Sequence, residues 1–234
     1  MTDFIDTNDI VPTDWVPENS IIKVIGVGGG GCNAVNYMYK QRIEGCTFIV
    51  CNTDAQALNK CDVPIKIQLG EGLGAGCNPT EGRNAALNSQ DEIAEKVINS
   101  NTDMLFITAG MGGGTGTGAA PVVAEIAREL DILTVGIVTL PFSFEGKRRQ
   151  QQALLGINDL RQHVDALLVI SNDKLRQEHG DMKLAQAFKK ADDVLKTAAK
   201  GIAEIITVTG YVNVDFQDVN TVMRNSGKAI MGSG

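Results

Sequence analysis

The chain has 234 residues, 43% of them hydrophobic, and a formal net charge of −7. That length can bury one sizeable core, while the absence of an apolar run of about eighteen residues argues against a helical membrane span. Asp3, Asp6, Asp9, Asp14 and Glu18 carry five of the seven net negative charges, so the rest is nearly neutral and offers no electrostatic case for nucleic acid or an acidic membrane.

Residues 1–20 contain no base and little periodicity, and are expected to be a disordered acidic leader. They lack a basic region followed by an apolar stretch, so no signal peptide is expected. Cys32, Cys46, Cys51, Cys61 and Cys77 form no CxxC pair and are odd in number. They read as reduced thiols of a cytoplasmic protein. With only His163 and His179, a zinc site is not expected.

From Ile21 the chain alternates apolar runs with helical spacing. Strands are predicted over 21–27, 47–51, 65–68, 104–108, 134–139 and 166–170, and helices near 33–42, 80–99, 117–130, 145–162 and 183–210. This alternation predicts an α/β fold: a mostly parallel, Rossmann-like sheet with helices on both faces. Glycine loops at 28–31, 70–76 and 110–118 each follow a strand. They should therefore converge on the sheet edge where such folds bind ligands.

The first loop has two readings. Gly26, Gly28 and Gly31 match G-x-G-x-x-G, and Asp54 lies where a dinucleotide fold wants a ribose acid. That makes a Rossmann-type dinucleotide-binding oxidoreductase the alternative. The match is partly a by-product of four consecutive glycines, Gly28 to Gly31.

The third loop is the sharpest signal. Gly112–Gly118 reads GGGTGTG between a strand and a helix, and five of its seven residues have no side chain. A bare backbone can turn tightly and aim N–H groups at an anion, where the helix dipole adds attraction. A plain tight turn needs one or two glycines. No G-x-x-x-x-G-K-[ST] occurs in the chain, so phosphates must be held by amides and hydroxyls without a P-loop lysine.

PFSFEGKRR (141–149) opens the next helix. Glu145 and Arg149, spaced four apart, either form a solvated helix start or flank a ligand together. In the long helix, Ala187, Phe188, Ala191, Val194, Leu195, Ala198 and Ile202 form an apolar stripe. Phe188 fits core packing as readily as a binding role. Asp215 and Asp218 stand three apart at a predicted helix start, where N-capping alone would explain them.

Together with IGVGGGGCNAV (25–35), NTDAQAL (52–58), GLGAGCNP (72–79), SNDKL (171–175) and NVDFQDV (213–219), these segments resemble the tubulin/FtsZ superfamily, in the family's order. Thr117 is similar to its bacterial cell-division branch. The resemblance runs from about Ile21 to the end and implies a polymerising GTPase that binds GTP or GDP with Mg²⁺. It implies phosphate contacts at Gly29, Gly30, Gly31, Cys32, Asn33, Gly112, Gly113, Gly114, Thr115, Gly116 and Thr117. It also implies ribose contacts at Glu145 and Arg149, Phe188 against the guanine face and Asp192 on the guanine edge.

An aspartate at 192 can accept from the N1–H and 2-amino groups of guanine, which adenine lacks. The resemblance further implies catalysis by Asn213, Asp215 and Asp218. No direct protein ligand to the metal is expected, with Asp54 a candidate through water. Asp192 and Asp215 are separated by mostly helix, roughly 30 Å. The acidic pair should therefore complete the site of a neighbouring copy, a head-to-tail homopolymer.

The expected organisation is a leader (1–20), a GTP-binding domain (21–182), a long central helix (183–210), and an acidic catalytic loop with its following helix (211–234). Members of the family continue into a second domain and a tail that meets division-ring adaptor proteins at mid-cell. The chain ends at Gly234, so it is expected to be one part of such a protein, binding nucleotide but polymerising poorly. A non-hydrolysing GTP-binding module is the remaining alternative. Neither nucleic-acid binding nor membrane insertion is expected.

Overall fold

Six apolar runs, rich in Val, Ile and Leu, pair side by side in one all-parallel sheet. The computed structural model describes residues 20–43, 45–97, 101–178 and 216–227, with single positions 186, 190, 193, 194, 197 and 201. The strands are β1 (Ile22–Val27), β2 (Thr47–Asn52), β3 (Ile65–Gln68), β4 (Met104–Gly110), β5 (Leu133–Leu140) and β6 (Ala166–Ser171). Their order across the sheet is β3-β2-β1-β4-β5-β6. Ile22 lies opposite Met104, and Val27 lies opposite both Cys51 and Ala109. The chain leaves β1 in one direction and β4 in the other, which opens a crevice between the carboxyl ends of these two central strands.

The helices are α1 (Gly28–Lys40), α2 (Ala55–Asn59), α3 (Pro79–Asn88), α4 (Gln90–Val97), α5 (Thr115–Glu129), α6 (Lys147–Leu160), α7 (Asn172–Glu178) and α8 (Phe216–Met223). Alternate strand residues feed two cores, one on each face. Ile22, Val24, Met104, Phe106, Leu133 and Val135 pack with Val35 and Met38 of α1 and with Val219 of α8. Ile25, Val27, Leu105 and Ile107 pack on the other face with Val97 of α4, Val122 and Val123 of α5, and Ile157 of α6. Burying one such side chain fully stabilises the fold by about 1.5–3 kcal/mol. β1 is buried along its whole length.

Within 183–210, each described position is helical. The Tyr37 hydroxyl on α1 donates to Asp193 Oδ1 at 2.9 Å, and Val194 packs against the first core. The leader falls outside the described residues, 20 excepted.

Three helix boundaries differ from the sequence reading. α1 begins at Gly28 and not near 33, so the first glycine loop is itself a helical turn. Helix propensity disfavours glycine there, but a Cβ on Gly31 would strike the Thr108 carbonyl. Close packing of α1 on β4 outweighs propensity. α5 likewise begins at Thr115. The helix expected over 80–99 is two helices, α3 and α4, meeting at Ser89.

Candidate functional site

The three glycine segments converge as expected. A Cβ on Gly28 would come within 2.8 Å of the Gly116 nitrogen, and one on Gly114 within 2.8 Å of the Ala75 Cβ and 2.9 Å of the Asn78 nitrogen. Contacts this close admit no side chain. They bring the ends of β1, β3 and β4 to one edge.

At this edge lies a cleft of about 270 Å³ lined by glycines 29, 30, 110, 113, 114 and 116 together with Met111, Thr115, Thr139, Pro141, Glu145, Arg149 and Asn172. Both α1 and α5 start at it. Neither α1, whose N-cap is Val27, nor α5, whose N-cap is Gly114, has a side-chain cap or an acidic residue in its first turn. By contrast, Asp54 caps α2 and Asn78 caps α3 through side-chain oxygens. Uncapped first-turn amides and the helix dipole attract an anion. The cradle has room for one: a Cβ built on Gly29 or Gly113 meets nothing within 4 Å.

Glu145 is the acid on the cleft wall. It ion-pairs with Arg149 (Nη1 to Oε2, 2.7 Å), and its other oxygen accepts from the Phe142 N–H at 2.9 Å. The hydrogen bond to Glu145 raises the Arg149 pKa. The spacing suggested one helix face for the two residues. In the structure Glu145 ends a 3₁₀ turn, Ser143–Glu145, and Gly146 (φ +100) breaks it from α6. The pair forms across that break.

The predicted contacts divide. Gly29, Gly30, Gly113, Gly114, Thr115, Gly116, Glu145 and Arg149 line the cleft, and Gly31, Cys32, Asn33, Gly112 and Thr117 do not. The buried Thr117 hydroxyl accepts from the Gly112 N–H at 2.8 Å, holding the loop from behind. Thr115 Oγ1, on the cleft side, hydrogen-bonds with Thr53 Oγ1 at 2.5 Å. Asp54 Oδ1 accepts from the Gln56 and Ala57 N–H groups and is committed to its helix cap.

Phe188, Asp192, Asn213 and Asp215 lie outside the described residues. Asp218 is exposed on α8. The carboxyl end of α8 is tied to the opposite sheet edge, where Arg224 pairs with Asp131 and Asp165, which lie just before β5 and β6. Six helical residues from Arg224 to Asp218 span about 9 Å. The eight residues of β5 span about 26 Å. Asp218 therefore stays well short of its own chain's cleft.

Asn172 was missed as a site residue. It sits at the start of α7, 4% exposed, lines the cleft, and its buried Oδ1 has no hydrogen-bond partner among the described residues. An orphaned buried amide oxygen is costly unless a ligand donates to it. The sequence signal was the polar SNDKL directly after an apolar strand.

Among the described residues no group of three or more His, Cys, Asp or Glu could hold a metal ion. Residues fit for anionic phosphates are in place. A Mg²⁺ here would have to take its oxygens from phosphate and water. A larger cavity, about 410 Å³, lies at the amino ends of β5 and β6, between Arg128, Arg161, His163 and Arg224. It has no glycine cradle and sits at the edge opposite the one that binds ligands in such sheets.

The Tubulin/FtsZ family, GTPase domain, matches residues 21–180. The cell division protein FtsZ of Azotobacter vinelandii is 56% identical over 226 residues, covering 94% of this chain and 57% of that protein. The FtsZ of Porphyromonas gingivalis is 54% identical, covering 92% and 48%. The chain thus spans about half the length of these relatives. Among solved structures, an empty FtsZ dimer from M. jannaschii superposes with a TM-score of 0.84 at 48% identity, over 88% of this chain and 61% of that one. A GTPγS-bound protofilament of CetZ2 from Haloferax volcanii shares the fold, with a TM-score of 0.75 at 21% identity over 87% and 63%.

Proposed function

The chain belongs to the tubulin/FtsZ GTPase family, and on that premise we propose that it binds guanine nucleotides in the cleft and, as part of a cytoplasmic division-ring protein, hydrolyses GTP when a second copy docks head to tail. The observation that carries this reading is the pair of uncapped helix starts, α1 and α5, facing one glycine cradle beside Arg149. Their amides would hold the phosphates without a lysine. Asn172, Glu145 and Arg149 would reach the sugar side, with Phe188 and Asp192 recognising guanine.

Phosphoryl transfer has a loose transition state, so positioning and charge stabilisation supply most of the catalysis. Bound Mg²⁺ would supply charge neutralisation between the phosphates. Water would be oriented by Asn213, Asp215 and Asp218 of a neighbouring copy. Support for action between copies is the place of α8, tied through Arg224 to the edge opposite the cleft. The M. jannaschii FtsZ dimer supports self-association. Adaptor proteins would bind through a tail beyond these residues.

Asp54 weakens the oxidoreductase reading, since its cap of α2 leaves it poorly placed as a ribose acid. Calorimetry with GTP, GDP and ATP tests the binding step. Two hydrogen bonds from guanine to Asp192 predict a preference over adenine well above about tenfold, and equal affinities would overturn it. Phosphate release with GTP and Mg²⁺, followed against protein concentration, tests the rest. Turnover and light scattering should rise together with concentration, because the acidic residues of one copy act in the cleft of the next. Nucleotide binding with no phosphate release at any concentration would favour the non-hydrolysing module.

A further inference from the structure

Three of the five cysteines gather behind the first turn of α1, and all five are free thiols. The Cys32 thiol lies within reach of the carbonyls of Gly26 (3.5 Å) and Cys51 (3.3 Å), and it is hydrogen-bonded to the Cys61 sulfur. The contact is part of an extended register. Cys32, Asn36 and Lys40 recur every four residues along one face of α1. Asn36 Oδ1 accepts from the Asp62 N–H at 2.7 Å, and Lys40 pairs with Asp62 at 2.8 Å. Two further contacts therefore hold the 61–62 segment against the face that carries Cys32.

We propose that Cys32 and Cys61 are an oxidisable dithiol pair whose disulfide ties the cradle-forming start of α1 to the end of α2. Cys61 is 7% exposed, at the margin of the core between exposed Lys60 and Asp62. Its pKa is drawn down, to about 7, by the hydrogen bond from Cys32, helped by the charges of Lys66 and Lys40. Cys32 shifts upward as the donor of that bond. This makes Cys61 the attacking thiolate and Cys32 the resolving thiol. Burial pushes Cys46 and Cys51 up to about 12 and leaves them inert.

The oxidant is hydrogen peroxide. Cys61 sulfur attacks one peroxide oxygen, the O–O bond breaks, and the departing oxygen leaves as water, giving a sulfenic acid. Cys32 sulfur then displaces the hydroxyl. The S–O bond breaks, the S–S bond forms, and the Cys32 proton leaves in a second water. Two thiols are oxidised by two electrons and one peroxide is reduced.

The disulfide has a mechanical consequence. Sulfurs at hydrogen-bond distance must close to about 2.05 Å. Cys32 follows Gly29 and Gly30, which line the cleft, and Gly31, which is wedged on the Thr108 carbonyl. Drawing Cys32 towards Cys61 shifts the amides that face the anion. This consequence rests on the nucleotide reading above, whereas the disulfide itself does not.

The full chain is treated with hydrogen peroxide, alkylated and digested, and GDP affinity is measured on the same samples. The expected result is a peptide linking Cys32 to Cys61 that dithiothreitol removes. GDP binding should be about tenfold weaker when oxidised, the effect of roughly one lost charge-assisted hydrogen bond, and should recover on reduction. Cys61→Ser and Cys61→Ala should bind GDP normally and be insensitive to peroxide. Oxidation that stops at Cys77, or takes Cys61 to sulfinic acid without a linked peptide, overturns the pair. A linked peptide with unchanged GDP affinity overturns the coupling. Reduced protein that fails to bind GDP strikes the nucleotide reading instead, and leaves the peptide to decide the disulfide.

Discussion

The two edges of the sheet handle charge in opposite ways. At the amino edge, side-chain charges close on one another: Arg224 bonds Asp131, Asp165 and Asn220, and Arg128 donates to the Gln162 carbonyl. At the carboxyl edge, backbone dipoles at α1 and α5 are left uncapped over glycines. The first arrangement uses charge to fix the chain. The second holds unsatisfied amides ready for a ligand, so stability and affinity should separate by edge.

The largest effect is expected at Gly113. A side chain there enters open space, so Gly113→Val should lower GDP affinity by at least about a hundredfold by filling the phosphate cradle. Its melting temperature should barely move. Calorimetry and a thermal melt on the same sample check this, and normal GDP binding would remove the cradle from the argument. Gly114→Val is a poorer test of the cradle. Its Cβ would strike Ala75 and Asn78, so folding would fail along with binding.

Arg149→Ala should weaken GDP by about ten- to thirtyfold, because it removes a cation beside the cradle and leaves the Glu145 carboxylate without its ion-pair partner on the sugar side. Glu145→Gln, which keeps the Arg149 charge, should cost less. A titration of both variants in which Glu145→Gln is the more damaging would reverse that order.

Asn172→Leu sharpens the contrast by changing sign. Without ligand it removes an orphaned buried oxygen and should leave stability equal or raised by about 1 kcal/mol. GDP affinity should fall about tenfold. A fall in ligand-free stability, read by denaturant unfolding, would mean that Asn172 is structural.

The smallest effect is expected at the amino edge. The Arg224 side chain is 30% exposed, so Arg224→Ala should cost about 1 kcal/mol after solvent screening. GDP affinity should not change. A nucleotide effect from this variant would show that the edges are coupled.

The sheet was legible because each strand is a short apolar run, and every predicted strand lies within two residues of its observed ends. β4 was read short, since Ala109 and Gly110 carry little apolar signal. α2 and α7, at five and seven residues, are too short to develop a helical period. The cradle was legible as glycine density. Which glycines face the cleft was not, because that depends on contacts between segments far apart in sequence. Gly29 and Gly113 look into open space, whereas Gly31 and Gly114 are wedged against Thr108 and Ala75. Thr117 illustrates the same limit: its motif position suggested a ligand contact, whereas the hydrogen bond from the Gly112 N–H to its hydroxyl had no signal in the sequence.

The strand order also sets a timetable. Ile22 finds Met104 only after β2, β3 and four helices have been made and moved aside. Such non-local pairing slows folding. During synthesis β1 must wait for a partner that emerges from the ribosome much later. The two halves of the proposed phosphate cradle, at the starts of α1 and α5, meet only at that step. If nucleotide binds there as proposed, it binds only a chain whose central pairing is complete, and by mass action it draws nascent chains towards that state. Newly made chains should lose protease sensitivity faster when guanine nucleotide is present.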